Sequence, residues 1–396
     1  MAETTATLVV TRSLIAPARY VQGRGVLADL GRYVAAIGST PLILTDDVVR
    51  QMTESTINES FRQAGLPTRF EEFGGTPTAA EARRVADAIG EHGSDVVIGL
   101  GGGSAIDTAK AAGDEAGVRW VSVPTVASTD APTSALSVIY TPDGAFESYR
   151  FYSRNPDLVL VDTQLVANAP VRFLVAGIGD ALATWIEARA VQRASGPTMA
   201  GGLATHAGIA LARVSWDILW ENALPAVEAV RQNLVTPAVE AVVEANTLLS
   251  GMGFESGGLA GAHAIHDGLT AVPHTHHLAH GEKVNIGSIT QLVLEGASST
   301  EIREFVEFTA RLGLPTTLTE AGLGDADEEV LRTVVAAATV PEETIHNLPF
   351  QVAADDVLDA LRSVESLGRS VRAEAGLPEP QAPEEHLAKV PTARMA

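Results

Sequence analysis

Histidines are concentrated in one short part of this 396-residue chain, where six of the ten fall within eighteen residues. They are His263, His266, His274, His276, His277 and His280. The sequence has no cysteine, so a metal ion could be held only by histidine, aspartate or glutamate. His263 and His266 lie one helical turn apart and would point to similar faces of a helix. The cluster indicates a site of histidines and one carboxylate, with one position open for substrate.

Asp180 is the candidate for that carboxylate. It follows a glycine turn at the start of an apolar helical pattern, where a charged side chain needs a partner, and a metal ion would serve. A helix N-cap is an equally good interpretation of this aspartate from the pattern alone. For His274, His276 and His277, core hydrogen bonds and an exposed loop are better interpretations than metal binding.

A glycine-rich segment, residues 99–104, follows an apolar strand and opens a helical pattern. Glycines let the backbone approach a ligand closely, and a helix N-terminus offers free N–H groups to a phosphate. Ser104 stands where the usual dinucleotide fingerprint has its last glycine, and no P-loop Gly-Lys-Ser/Thr follows. We predict phosphate binding here, with a plain strand-to-helix turn as the alternative.

Asp46 lies at the carboxyl end of the first predicted strand, where an acid can hydrogen-bond a ribose hydroxyl. A carboxylate at that position would repel the additional phosphate of NADP, so we expect NAD. The alternative is that Asp46 is the N-cap of the helix that follows.

The composition excludes several classes of function. The formal net charge of −22, with no basic patch, argues against binding of nucleic acid or anionic membranes. An anionic substrate would require a local group of arginines. The first residues lack the pattern of a secretory signal, and no apolar run reaches the length of a membrane span. We therefore expect a soluble, cytoplasmic protein.

The hydrophobic pattern changes along the chain. Continuous apolar strands alternate with helices in the first part, which predicts a parallel sheet covered on both faces. The predicted strands are residues 41–45, 95–100, 119–123, 134–140 and 157–161. Helical periodicity dominates from residue 171. We predict an α/β dinucleotide-binding domain over 1–165 and an all-α metal- and substrate-binding domain over 166–396, of which 377–396 is a loosely ordered tail.

Four segments resemble the glycerol dehydrogenases of the iron-containing alcohol dehydrogenase family. They are residues 101–104, 124–132, 179–183 and 280–284, and the similarity runs from about residue 17 to 371. The stretches Ala127–Pro132 and Gly253–Ala260 are the most specific. The resemblance implies the dehydroquinate synthase-like fold of that family, with the site in a cleft between the two domains. It also implies a homo-oligomer, with an octamer as one form.

The resemblance further assigns roles by position. Asp180, His263 and His280 match metal ligands, with zinc usual in glycerol dehydrogenases and iron common elsewhere in the family. Asp130 matches a residue beside the polyol. Asp130 and His263 are the candidate substrate-binding residues, and Asp130 and His266 are the candidate catalytic residues. The residues that match the NAD site are Asp46, Gly102, Gly103, Ser104, Asp107, Thr125, Ser128, Ser134, Leu136 and Tyr140. Departures from the family pattern are Ser104 for lysine, Thr133 for cysteine and Asp267 for asparagine.

The expected activity is NAD-linked, metal-assisted oxidation of glycerol, or of a related vicinal diol, to the ketone. One alternative is a relative that acts on a phosphorylated or cyclic polyol, of the glycerol-1-phosphate dehydrogenase or dehydroquinate synthase type. Such an enzyme needs a strong anion site, for which Lys283 and Arg172 are the candidates. Another is a catalytically silent protein that keeps the fold. The identity of the metal, the physiological diol and the proton acceptor (Asp130, His266 or water) stay open.

Overall fold

The computed structural model describes residues 11–383, and its first half is built around a six-stranded parallel sheet. In chain order the elements up to residue 168 are β1 (Arg12–Ser13), β2 (Tyr20–Gly23), α1 (Leu30–Val34), β3 (Pro41–Thr45), α2 (Asp47–Ala64), β4 (Phe70–Glu72), α3 (Ala79–His92), β5 (Val96–Gly101), α4 (Gly103–Ala116), β6 (Arg119–Pro124), β7 (Leu136–Tyr140), β8 (Phe146–Phe151), β9 (Leu158–Asp162) and α5 (Thr163–Asn168). The strand order is β2-β9-β6-β5-β3-β4.

Successive side chains of the central strands enter two different cores. Ile43 and Ile98 pack on one face of the sheet with Phe61 of α2, while Leu42 and Val97 pack on the other face with helices α3 and α4. Helices cover both faces, so every residue of β3, β5 and β9 is buried. This explains why these strands are continuously apolar in sequence instead of alternating.

One predicted strand does not belong to this sheet. Residues 136–140 pair antiparallel with β8, and Leu136 lies opposite Phe151. The prediction that the strand at 134–140 extends the parallel sheet was wrong. The hairpin packs on α4 through β7, which is mostly buried, while β8 is intermediate to exposed along its length.

The second half is helical. Its elements are α6 (Val171–Ala194), β10 (Leu203–Ala204), α7 (His206–Val230), α8 (Pro237–Glu244), α9 (Ser250–Gly257), α10 (Gly261–Thr270), α11 (His280–Leu294), α12 (Ser299–Leu312), α13 (Glu328–Ala338) and α14 (Ala354–Glu374). A π-helical turn, Ala245–Leu249, joins α8 to α9 without a break. The predicted fold class, an α/β part followed by a helical part, is confirmed.

Two glycines allow unusually close packing around α6. A Cβ atom on Gly281 of α11 would lie 1.8 Å from the carbonyl oxygen of Ala176, and one on Gly177 would lie 1.9 Å from that of Ala127. Only glycine permits these approaches, because real Cβ contacts are never so short. They bring α11 and the loop after β6 against α6.

The carboxyl-terminal stretch is described only in part. Residues 377–383 have no regular structure, and Nε of Arg372 donates a hydrogen bond to the carbonyl of Pro378 (3.0 Å). Residues 384–396 of the predicted tail lie outside the described residues. Among the described helices, none is both long and apolar enough to cross a membrane.

Candidate metal and dinucleotide site

Three predicted metal ligands converge from three helices. Asp180 lies in the interior of α6, His263 in the first turn of α10 and His280 at the first position of α11. Oδ1 of Asp180 is 3.3 Å from Nε2 of His263 and 3.1 Å from Nε2 of His280. Asp180 is nine residues inside its helix, so the N-cap interpretation is wrong and the buried carboxylate has the two histidines as partners.

These atoms fit a divalent cation. Ligands about 2.1 Å from a tetrahedral zinc ion lie roughly 3.4 Å from one another, close to the two distances found here. All three candidate ligand atoms lie within 4.8 Å of each other, and no other group of this kind occurs within residues 11–383. Two imidazoles and one carboxylate suit zinc or iron, and leave a coordination position for substrate.

The ionisation states of Asp180 and His263 depend on each other and on the neighbouring charges. Burial alone would raise the pKa of Asp180, but the neighbouring charge of His280 and the hydrogen bonds of both histidines hold it well below its usual value. Burial would lower the pKa of His263, yet Glu187 and Asp180 raise it well above the usual value. The carboxylate of Asp180 therefore stays ionised, as a metal ligand must be, and the acids around His263 favour positive charge at this position.

Asp130 lies beside the three ligands and is itself buried. Its backbone N–H donates to Oδ2 of Asp180 (3.1 Å), and its own Oδ2 accepts a hydrogen bond from Oγ of Ser250 (2.8 Å). Burial and the nearby charge of Asp180 raise the pKa of Asp130 well above its usual value. A carboxyl group in this condition can both donate and accept hydrogen bonds with a hydroxylated substrate.

His266 is one turn beyond His263, and its ring centroid lies 4.2 Å from that of His280. Its Nδ1 is 2.9 Å from Oδ1 of Asp267, whose Oδ2 accepts a hydrogen bond from the hydroxyl of Tyr149 in β8 (2.9 Å). Burial raises the pKa of Asp267 to about 6, and the Tyr149 hydroxyl opposes that rise. Asp267, the departure from the family pattern, thus orients the His266 ring.

The glycine-rich turn faces these groups across a cavity of about 100 Å³. Gly102 is the N-cap of α4, so the first N–H groups of that helix are free to bind an anion. The cavity is lined by most of the predicted site residues: Gly103, Ser104, Asp107, Asp130, Ser134, Leu136, Tyr140, His263, His266 and His280. The structure therefore brings the predicted phosphate loop and the predicted metal ligands to one place.

Three further predicted NAD-site residues lie at the same edge of the sheet and, like Gly102, outside the cavity lining. Asp46 directly follows β3, and Thr125 directly follows β6. Ser128 lies three residues after Thr125. Oδ1 of Asp46 accepts the backbone N–H of Val49 (2.9 Å) and caps α2, as the alternative interpretation predicted. Because parallel strands end at a common edge, these residues lie on the side of the glycine-rich turn.

His274, His276 and His277 lie away from the candidate ligands. His277 Nδ1 lies 3.0 Å from the carbonyl oxygen of His274, and His276 Nε2 lies 3.2 Å from that of Thr270. His274 is exposed. The structure agrees with the interpretation of these three histidines as a mixture of core hydrogen bonding and exposed loop.

Sequence reasoning missed Glu187 and Ser250, which hold His263 and Asp130. Glu187 lies seven residues after Asp180, two turns along the same buried helix. An acid at that spacing on an apolar helix was a usable signal. Ser250 had none, because its direction depends on the π-helical turn before it.

Known proteins resemble the chain over most of its length. The sequence profile of the iron-containing alcohol dehydrogenases matches residues 17–163. A glycolaldehyde reductase from Halobacterium salinarum is 51% identical over 90% of this chain and 98% of its own, and a glycerol dehydrogenase from Pseudomonas putida is 46% identical over the same shares. The crystal structure of glycerol dehydrogenase from Schizosaccharomyces pombe superposes with a TM-score of 0.91, at 39% identity, covering 95% of this chain and 96% of that one. The protein belongs to the iron-containing alcohol dehydrogenase family.

Proposed function

We propose that this protein is an NAD-dependent dehydrogenase that oxidises glycerol, or a closely related vicinal diol, to the corresponding hydroxyketone. One observation carries the proposal: His263 and His280 line the same cavity as the glycine-rich turn, and the buried carboxylate of Asp180 lies against both rings. The glycerol dehydrogenase from Pseudomonas putida, at 46% identity, supports the choice of substrate.

In this proposal Asp180, His263 and His280 hold one divalent cation, and zinc is our choice over iron. A cation held there supplies Lewis acidity that lowers the pKa of a substrate hydroxyl, and NAD supplies the hydride acceptor. The three residues come from separate helices that are packed at glycine contacts, so their geometry is set before substrate arrives.

Asp130 and His266 are the catalytic residues in this proposal. Both line the cavity, and each is held by a neighbour: Asp130 by Ser250, and His266 by Asp267. Asp130 hydrogen-bonds a second hydroxyl of the substrate, and either His266 or the ionised form of Asp130 can accept the proton of the hydroxyl that is oxidised. Phe254 and Leu259 supply apolar lining, which disfavours water in the cavity beside Asp130 and His266.

The dinucleotide would bind at the carboxyl edge of the sheet. The N-terminus of α4 offers N–H groups to the pyrophosphate, with Gly102, Gly103 and Ser104 forming the turn. Oδ1 of Asp46 is engaged in the helix cap, while Oδ2 makes no hydrogen bond to the described residues and can accept one from a ribose hydroxyl. The same carboxylate disfavours NADP. Thr125, Ser128, Ser134, Leu136 and Tyr140 complete the proposed NAD site.

A phosphorylated substrate fits the cavity poorly. Its lining among the described residues includes three aspartates and no lysine or arginine. Both carboxylate oxygens of Glu282 bind Arg172 (2.8 and 2.6 Å), and Lys283 does not line the cavity. Without a lysine or arginine in the lining, the negative charge of these aspartates would repel a substrate phosphate.

A second candidate is the reverse reaction on a shorter substrate, the reduction of glycolaldehyde with NADH. The relative from Halobacterium salinarum, named a glycolaldehyde reductase, is 51% identical to this chain. Comparing kcat/KM for glycolaldehyde and dihydroxyacetone with NADH, and for ethylene glycol and glycerol with NAD, separates a two-carbon from a three-carbon preference.

The proposal extends to assembly and location. The family resemblance implies a homo-oligomer, up to an octamer, and we propose the cytoplasm as its location. Light scattering after size-exclusion chromatography tests the oligomer. A measured mass near the 41.3 kDa of one chain would contradict it.

The direct test is NADH formation from glycerol at alkaline pH, before and after removal of metal by a chelator and with zinc or iron added back. Activity that disappears with the metal and returns with one ion supports the proposal and identifies that ion. Metal-replete protein that oxidises none of the simple diols would contradict it, and turnover of a phosphorylated polyol instead would favour the anion-binding relatives.

A further inference from the structure

We infer that Glu187 is a positioning residue that fixes the tautomer and direction of the His263 ring, so that Nε2 is the atom offered to the cation. The inference rests on the metal site of the proposed function. Glu187 lies two turns after Asp180 on the same helix, α6, and its side chain is completely buried. It does not line the cavity, so it would act through His263.

Both carboxylate oxygens of Glu187 are hydrogen-bonded to groups at the start of α10. Oε1 accepts the backbone N–H groups of Ala260 (2.8 Å) and His263 (3.0 Å). Oε2 lies 2.6 Å from Nδ1 of His263. One buried carboxylate thus holds the end of the helix that carries the ligand, and the ligand ring as well.

This arrangement decides which ring nitrogen carries the proton. An ionised carboxylate only accepts hydrogen bonds, so Nδ1 of His263 must be the protonated nitrogen that donates to Oε2. A metal ion binds only the neutral ring, in which the lone pair then lies on Nε2, the ring atom 3.3 Å from Oδ1 of Asp180. Histidines that bind metals generally donate their other N–H to a carboxylate or carbonyl, and loss of that partner typically costs 10–100-fold in affinity.

Substitution of Glu187 by glutamine gives a sharp test, because the side chain keeps its size but has one acceptor oxygen instead of two. Two backbone N–H groups need that oxygen. The amide NH₂ group would then face Nδ1 of His263, which can accept it only when the proton moves to Nε2. In that tautomer Nε2 cannot bind a metal ion.

The measurement is zinc affinity of the full-length protein, by competition with a chromophoric chelator. We expect Glu187→Gln to bind zinc about 10–100-fold more weakly than the unsubstituted protein. The matched control is Glu320→Gln. Glu320 is also shielded (its side chain is 17% exposed) but pairs with Arg372 and the backbone N–H of Thr316, and its substitution should leave zinc affinity unchanged.

A second readout separates positioning from general stability. Cobalt(II) replaces zinc and reports its coordination through its visible spectrum. We expect the spectrum of Glu187→Gln to show loss of one nitrogen ligand, whereas a residue that only stabilises packing would lower the unfolding temperature and leave that spectrum unchanged. An unchanged spectrum together with unchanged zinc affinity overturns the inference, and so does lowered stability alone.

If Glu187→Gln fails to fold, Glu187→Asp decides by the same measurements. Aspartate keeps the charge but is one methylene shorter, so it cannot reach Ala260, the His263 backbone and Nδ1 together, and weaker zinc binding is expected. Affinity equal to that of the unsubstituted protein overturns the inference. Failure of the unsubstituted protein to bind zinc or iron would instead contradict the proposed function, so the two failures are distinct.

Discussion

The ammonium group of Lys110 lies 2.8 Å from Oδ1 of Asp107, and both side chains are buried. The same Nζ donates hydrogen bonds to the backbone carbonyls of Ala131 and Leu136. Oδ2 of Asp107 accepts the N–H of Val138. Helix α4, which follows the glycine-rich turn, is thus tied to the segment that carries Ser134 and Leu136 on the other side of the cavity.

Replacing Lys110 by methionine should therefore weaken both folding and dinucleotide binding. Removing one partner of a buried ion pair costs about 3–5 kcal/mol, and the loosened segment should raise KM for NAD more than it lowers kcat. Urea unfolding and initial-rate kinetics measure the two effects. Arg83→Met is the control, because Arg83 is 69% exposed and its ion pair with Glu115 should be worth less than about 1 kcal/mol. Equal losses in both variants would contradict this account.

Replacing Ser250 by alanine removes the hydroxyl that donates to Asp130. A buried hydrogen bond of this kind contributes about 1–1.5 kcal/mol, so we expect kcat/KM for glycerol to fall about tenfold. Metal content should not change, since Ser250 bonds to Asp130 and Thr184 and to none of the metal ligands. Ser288→Ala provides the control, because Ser288 is buried but bonds only to the backbone of its own helix. Loss of metal from Ser250→Ala would show that the serine acts on the cation site instead.

Glu255 should make stability depend on pH. Burial raises its pKa from 4.5 to about 7, against the hydrogen bonds from Ala135 N–H and Asn155 Nδ2. The folded protein therefore holds this proton more tightly than the unfolded chain, and the associated stability is present below pH 4.5 and lost as pH rises through 7. The loss from this one group is about 3 kcal/mol.

The measurement is the free energy of unfolding at pH 5 and pH 8, for the unsubstituted protein and for Glu255→Gln. Glutamine cannot ionise, so the advantage of glutamate over glutamine should shrink between the two pH values. Other acids titrate equally in both proteins and cancel in this difference. If the difference in unfolding free energy between the two proteins is the same at pH 5 and pH 8, Glu255 does not cause this pH dependence.

Gly281→Ala should disrupt the metal site without touching a ligand atom. The new methyl group would lie 1.8 Å from the Ala176 carbonyl, so α11 must move away from α6, and His280 away from Asp180. We expect weaker zinc binding and a lower unfolding temperature, measured by chelator competition and calorimetry. Gly90→Ala is the matched control: it meets nothing within 4 Å and should stabilise α3 by about 0.5–1 kcal/mol. Zinc affinity unchanged in Gly281→Ala would show that the helices can separate without consequence.

The chemistry of the candidate site could be read from the sequence because it depends on residue types. Without cysteine, only His, Asp and Glu could hold a metal, and the histidines cluster in one place. Family resemblance selected His263 and His280 among them. The continuous apolar strands likewise predicted the parallel sheet, because burial on both faces removes the polar positions.

What the sequence could not provide depends on contacts between distant segments. Leu136 pairs with Phe151 and not with the large sheet, and apolar character alone does not choose between these partners. Asp180 was ambiguous between a helix cap and a ligand until α6 proved to begin at Val171. The partners of Glu187 lie more than seventy residues away, beyond the reach of local patterns.

The π-helical turn at Ala245–Leu249 sets the direction in which the side chains after it point from the same helix. Its wider turn takes up one additional residue, so side chains after it are rotated by about 100° relative to an uninterrupted α-helix. Ser250 then meets Asp130, and Glu255 meets Ala135. Deleting one residue from this turn would restore regular helix while rotating both side chains away from their partners. The least regular turn of this helix is therefore the one where a deletion should be tolerated worst.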